Sequence, residues 1–429
     1  MLRSLRSVCL ALVLGAGSAA ASDPLLSPAA LREDIALARE ALERIHPGYE
    51  RYTARRELDA LWEAIETDTP RRWEDVYIDL SRVLAAVRCD HTKAELPKAA
   101  VEARATAPVY LPFRFRLFEA GDRPRMIVLA SAIPGVERGD EILEIDGDPV
   151  ADRIAPALDL IPVDGFTDHV RGVQLAATGE FLGSGFDHFD PLLNDVPPTV
   201  VLRVGRDGDQ RTVTGQRIGF DAFRAIETGE RRVRNLSDDG AVELDFPAPG
   251  VGVLSVATYV NYRTPVDPHE RYAPYFEAIR ERGVHTLILD NRRNGGGSTD
   301  AQEALVSRLI TAPVRTVAEV RVKTIDLDGL REHLGTWDAT ALNPPAEIFD
   351  RSDDGWWILK PEFGGGGPAI EPHPESFGGR LIVLTSRGNA SGAATTLLAM
   401  KKTGRANLIG EATGGAQAGP TANIIFFLT

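Results

Sequence analysis

RLIVLTSRGNASGAATTLLAMKKTGRANLIGEATGG, residues Arg380–Gly415, holds two apolar runs with a helical run between them. Leu381-Ile382-Val383-Leu384 has the character of a fully buried strand. Small and polar residues from Thr385 to Ala390 predict a turn, and Gly392 to Lys402 a helix starting directly after Ser391. Leu408-Ile409 reads as the start of another buried strand, and Gly414-Gly415 as a loop. A serine between a buried strand and a helix is placed to act as a nucleophile. The tight turn exposes Oγ, and the next backbone N–H faces an incoming carbonyl. Ala390, Gly392 and Ala393 are the small neighbours such a turn needs. The plainer alternative is a crossover whose helix is capped by serine.

Strand–helix alternation, the pattern of an α/β domain, begins upstream at Gly250. Val251 to Val256 predicts a strand, Pro268 to Arg282 an amphipathic helix, Thr286 to Leu289 a buried strand and Gln302 to Ile310 a helix. Between the last two lies Asp290-Asn291-Arg292-Arg293-Asn294-Gly295-Gly296-Gly297. Three glycines after a strand let several N–H groups approach a ligand. No Gly-Lys-Ser/Thr follows and neither dinucleotide spacing fits, which disfavours phosphate. A backbone oxyanion hole facing Ser391 suits a strand-end loop of the same sheet. The Gly364 to Gly367 run, with prolines nearby, reads as a flexible loop.

At the other end, Met1–Ala21 reads as a secretory signal. Arg3 and Arg6 precede an apolar stretch from Val8 to Leu14, and Ala19-Ala20-Ala21 is an A-x-A-type cleavage site. The stretch is too short to span a bilayer, so no membrane span is expected after cleavage. Cleavage would remove Cys9, leaving Cys89 and no internal disulfide. Ser27-Pro28 starts a helix, with Leu31, Ile35, Leu42 and Ile45 at helical spacing until His46-Pro47-Gly48. Further helices run from about Arg55 to Glu66 and from Trp73 to Val87, ending at Arg88-Cys89-Asp90-His91-Thr92. Residues 22–104 therefore read as a helical domain. Short alternating strands follow, and Gly139-Asp140-x-Ile142-Leu143-x-Ile145-Asp146-Gly147 resembles the second half of a PDZ domain, assigned to residues 105–160. Residues 161–249 form a β-rich connection with a hairpin turning at Asp207-Gly208, and 250–429 the α/β core. His169 and His188 read as solvated loop residues.

The 429 residues, 43% hydrophobic and 26% charged, suit a globular protein of two or three domains. A net charge of −14 without a basic stripe argues against nucleic acid or an anionic membrane as partner. No metal or cofactor signature is present: His269-Glu270 lacks the second histidine of H-E-x-x-H, and there is no C-x-x-C. The base for Ser391 is narrowed by chain order. His373 is the last histidine, which excludes the serine–acid–histidine order of α/β-hydrolases. Lys401 and Lys402 lie on the serine's own helix, roughly 15 Å along its axis at 1.5 Å per residue. An upstream histidine is left, and His91 is the one on a polar turn. Alternatively His91 caps helix carbonyls, or pairs with Cys89 as a nucleophile, although Cys89 fits better as a small buried hydrophobe.

Taken together, these motifs resemble the S41 peptidases, the tail-specific or C-terminal processing proteases. The resemblance rests on His46-Pro47-Gly48, Asp90-His91-Thr92, the PDZ-like unit, Leu289-Asp290-x-Arg292-x-Asn294-Gly295-Gly296-Gly297 and Leu384-Thr385-x-x-x-x-Ala390-Ser391, in that order. It implies a crotonase/ClpP-like α/β core with an N-terminal helical domain and a PDZ-like β-unit. It also implies Ser391 as nucleophile and an oxyanion hole from Gly392 with Gly296 and Gly297. Ala416 stands where Ser–Lys members carry lysine, and Ala394 replaces their acidic residue. The chain is instead similar to the tricorn-like Ser–His–Glu branch, with His91 as base. That branch's glutamate would fall beyond Thr429, so no well-placed carboxylate is expected beside His91. The expected protein is a periplasmic or secreted serine endopeptidase acting on peptide or protein substrates, without metal or cofactor. The contrasting expectation is a catalytically silent protein on the same fold that binds peptides or hydrophobic ligands. A crotonase acting on acyl-CoA is disfavoured by the signal peptide.

Overall fold

Ser27 accepts a hydrogen bond from the Ala30 amide and so caps α1 (Pro28–Ile45), which has proline in its first turn. With α2 (Arg55–Glu63) and α3 (Trp73–Val87), it buries Leu31, Leu42, Leu58, Trp62 and Leu80 in one apolar interior. α3 stops where Arg88 turns left-handed at φ +60°, which directs the chain into the His91 turn. The structure is a computed structural model, and it describes residues 10–14, 25–120, 123–178, 182–229, 233–336, 339–416 and 424–428. Apart from Leu10–Leu14, the expected signal segment Met1–Ala21 lies outside the described residues.

An antiparallel sheet follows: β1 (Phe113–Ala120), β2 (Arg123–Ser131), β3 (Glu141–Ile145), β4 (Thr199–Arg206) and β5 (Asp209–Gln216), side by side in that order. Asp146-Gly147 and Asp207-Gly208 each place both residues at positive φ, as two-residue hairpin turns demand. The β4–β5 hairpin pairs along β3, so strands on either side of residue 160 belong to one sheet. This sheet shares its apolar interior with α1–α3. His188 is not a solvated loop residue as expected. It is buried on the helix Gly185–Leu193, within 2.9 Å of the Tyr77 hydroxyl. Burial holds its imidazole well below the usual range, with Arg104 adding to the effect.

The second layer is built on β6 (Val242–Ala248), β7 (Val251–Val256), β8 (Thr286–Asp290), β9 (Arg380–Thr385) and β10 (Ala406–Gly410), ordered β10-β9-β8-β7-β6. All its pairings are parallel except that of the edge strand β6. The crossovers are α4 (Pro268–Glu281), α5 (Thr299–Leu309) and α6 (Ser391–Thr403), whose buried faces form a separate apolar cluster with the sheet. Asp267 starts α4 by accepting from the His269 and Glu270 amides. Leu408 and Ile409 lie on the edge strand β10 and are 40% and 55% exposed, so this strand is not the buried one expected. β8 and β9 are in parallel register, with Asp290 opposite Leu384. Their following loops therefore emerge together at the C-terminal edge of the sheet, where parallel α/β folds place their ligands.

Ile424–Leu428 closes a third sheet. It pairs in parallel with Leu10–Leu14 and antiparallel with Leu334–Gly335, and Leu10–Leu14 also pairs with Ala94–Glu95. Ile424, Phe426 and Leu428 are buried in the interior that α1–α3 share. Among the described residues, no helix is long and apolar enough to cross a membrane.

Candidate active site

Ser391 is the first residue of α6, with φ +45° after an extended Ala390. A serine in this region costs about 1–2 kcal/mol relative to ordinary helical backbone. Such strain at a strand–helix turn is how a nucleophile is held away from the helix surface. The preceding turn is stapled by Asn389, which is fully buried. Its Nδ2 donates to the carbonyls of Asn291 (2.6 Å) and Asn294 (2.9 Å), and its Oδ1 accepts from the Ser386 amide at 2.8 Å. Its own carbonyl accepts from the amides of Gly414 and Gly415, both at 3.0 Å. One asparagine therefore ties together the Ser391 turn, the glycine loop and the loop after β10.

The glycine loop packs directly on the serine. A Cβ built on Gly296, at φ +108°, would lie 2.9 Å from Ser391 Cβ, the Ala390 carbonyl oxygen and the Gly392 amide nitrogen. Gly297, at φ +138°, packs on the Tyr259 backbone, and a Cβ on Gly392 would sit 3.6 Å from the Gly297 nitrogen. The expectation for Gly296 needs correcting. Its amide already donates to Asn294 Oδ1 at 2.8 Å, because the turn folds that side chain back onto it. Gly296 supplies space, while the adjacent amides of Gly297 and Gly392 meet no acceptor among the described residues. Tyr259 braces this arrangement. Its amide donates to the Gly296 carbonyl, its carbonyl accepts from the Ser298 amide, and its buried hydroxyl lies 3.1 Å from Thr396 Oγ1 on α6.

His91 stands on the turn after α3, which is held by a second histidine. Gly48 donates its amide to His46 Nδ1 (3.1 Å), so the proton is on Nε2, which donates to Thr92 Oγ1 at 2.9 Å. His46-Pro47-Gly48 thus serves as the rear wall of the His91 turn. From the loop after residue 160, Asp164 accepts the Asp90 amide (2.9 Å) and the Ala416 amide (3.3 Å). Ligand atoms of Cys89, His91 and Asp164 all lie within 4.8 Å of one another. The Asp164 carboxylate therefore comes close to His91, with no hydrogen bond between them, because the connecting region folds back over the turn. Burial raises the pKa of Asp164 above the usual carboxylate value, and the Cys89 thiol adds to the rise. The Asp90 amide, His91 and the Ala416 amide oppose it.

A short relay joins the two halves. A Cβ on Gly415 would lie 3.1 Å from the Ser391 nitrogen, and the next residue, Ala416, bonds Asp164. His91 and Ser391 share no direct hydrogen bond in this structure. Sequence reasoning missed Asn389 and Asp164. Asn389, two residues before the serine inside a turn of small residues, was open to notice, whereas nothing in residues 151–249 marked Asp164.

The Peptidase family S41 model matches residues 250–424, the span that carries the glycine loop and Ser391. No curated protein matches the chain. Among solved structures, the fold is similar to mature CPAF complexed with lactacystin, at 16% identity and a TM-score of 0.54 over 92% of this chain and 89% of that one. It is also similar to a CPAF mutant, at 16% identity and a TM-score of 0.58 over 92% and 87%. The family match thus falls on the loops that meet at Ser391, and the α/β fold is similar to that of CPAF.

Proposed function

We propose that the protein is a periplasmic or secreted endopeptidase that cleaves peptide bonds through an acyl-enzyme on Ser391. The observation that carries this reading is Ser391 at φ +45°, on a strand–helix turn beside the amides of Gly297 and Gly392. His91 takes the proton from Oγ as the ester forms and returns one to the leaving amine. The amides of Gly297 and Gly392 receive the oxyanion. Asp164 steadies the imidazolium, as the third member of a triad does. Substrate binding draws the His91 turn toward Ser391, since catalytic hydrogen bonds often tighten only with substrate bound. Secretion would remove Met1–Ala21 and with it the strand Leu10–Leu14, freeing the facing edges of Ala94–Glu95 and Ile424–Leu428.

A fluorophosphonate probe tests the reading. Covalent labelling mapped to Ser391 by peptide mass spectrometry, and lost in Ser391→Ala, is the expected result. A folded protein that takes no label would instead favour the silent ligand-binding alternative.

A further inference from the structure

We infer that Cys89, His91 and Asp164 form a zinc site that switches the enzyme off by occupying the histidine used as base, an inference that rests on the role proposed above for His91. The three side chains offer a thiolate, an imidazole and a carboxylate, with ligand atoms mutually within 4.8 Å. Tetrahedral zinc with bonds of about 2.0–2.3 Å needs ligand atoms about 3.4–3.6 Å apart. Side-chain movements of about 1 Å would close the site. Thiolate with imidazole selects zinc over magnesium or calcium, which prefer all-oxygen sites. Three protein ligands leave a fourth position for water.

The surroundings support the assignment. Cys89 and Asp164 are buried and His91 is half-buried, so the site is walled but reachable from the imidazole side. The Asp90 and Ala416 amides hold the Asp164 carboxylate, the kind of outer support that ligating carboxylates have. His46, through Thr92, fixes the turn that carries both Cys89 and His91. On binding, the thiol proton goes to solvent, and Sγ, one imidazole nitrogen and one carboxylate oxygen bond the ion. His91 then has no lone pair with which to take the Ser391 proton.

The test uses cobalt(II) as a spectroscopic probe and zinc(II) as competitor, on the full chain carrying Ser391→Ala. A thiolate–cobalt charge-transfer band saturating at one ion per chain, displaced by zinc and absent when Cys89→Ser is added, is the expected result. Parallel assays use protein with Ser391 intact. Zinc should inhibit peptide cleavage reversibly on chelation, and Cys89→Ser should keep the basal rate while needing more than 100-fold more zinc. Even loss of an outer-shell partner costs roughly 10–100-fold in metal affinity. Should Cys89→Ser fail to fold, Cys89→Ala checked by circular dichroism takes its place. No band in folded Ser391→Ala protein overturns the inference. A band with zinc-insensitive cleavage would keep the metal site and overturn His91 as base, so the two readings fail separately.

Discussion

Gly296 and Ser391 stand so close that no side chain fits between them: a Cβ on the glycine would meet the serine Cβ at 2.9 Å. The same atom would press the Gly392 amide and the Ala390 carbonyl, both backbone groups that cannot rotate away. Gly296→Ala should therefore displace the amides of Gly297 and Gly392 and, if these receive the oxyanion as proposed, lower kcat by about 10²–10³-fold with KM much less affected. Steady-state kinetics on a peptide substrate check this. Stability loss with kcat unchanged would make the loop a purely structural turn.

Ser391 combines a reactive group with a strained backbone, so its two replacements should differ. Ser391→Ala keeps the strain and should lose about 10⁴-fold or more in kcat. Ser391→Gly should be equally inactive but more stable than Ser391→Ala by about 1 kcal/mol, because glycine adopts φ +45° without penalty. Urea unfolding of the two variants side by side reads the difference, and equal midpoints would count against the strain.

Asn389→Ala would strip partners from the carbonyls of Asn291 and Asn294 and from the Ser386 amide. Each buried group left unsatisfied costs about 1–3 kcal/mol. The expected outcome is a loss of at least about 3 kcal/mol by denaturant titration, together with a fall in kcat as the Ser391 turn and the glycine loop separate.

Asp164→Asn should lower kcat at least about tenfold while moving KM less than twofold, because an amide cannot balance the imidazolium charge. The effect should stay well short of the roughly 10⁴-fold seen where such a carboxylate is directly hydrogen-bonded to the base. An unchanged kcat in Asp164→Asn would remove Asp164 from the mechanism.

Asp290 links the glycine loop to pH. Two hydrogen bonds from the Arg292 guanidinium, at 2.9 and 2.7 Å, and one from its amide hold the Asp290 carboxyl below its usual range despite partial burial. A depressed folded pKa means the stabilisation is fully present above the unfolded value, about 3.9, and is lost as pH falls through the folded value. With Arg292 57% exposed the contribution should stay below about 1 kcal/mol. The stability gap between wild type and Asp290→Asn should be flat above about pH 5 and should shrink below about pH 4.

The α/β alternation from Gly250, the helical start and the Asp-Gly hairpins were all legible, because each rests on side-chain period or turn chemistry within a dozen residues. Val251–Val256 and Trp73–Val87 fall where the spacing predicts them. Where the expected helix from Arg55 ran to Glu66, α2 ends at Glu63. His188 misled because its Asp and Gly neighbours look solvated, yet the helix on which they lie packs against Tyr77.

By itself the sequence determined Ser391 as nucleophile candidate, the glycine loop as its partner and His91 as the histidine left to serve it. Those are local properties: a strand, a turn of small residues, a run of glycines, a chain order. Only the tertiary structure decided that Gly296 gives space and not its amide, that Asn389 binds three loops, and that Asp164 stands beside Cys89 and His91. The links from Asn389 to the glycine loop and from Asp164 to the His91 turn and to Ala416 join residues 74 to 252 positions apart, made when parallel strands bring their C-terminal loops together and the connecting region folds over the His91 turn. No periodicity in a chain records which of its distant loops will meet.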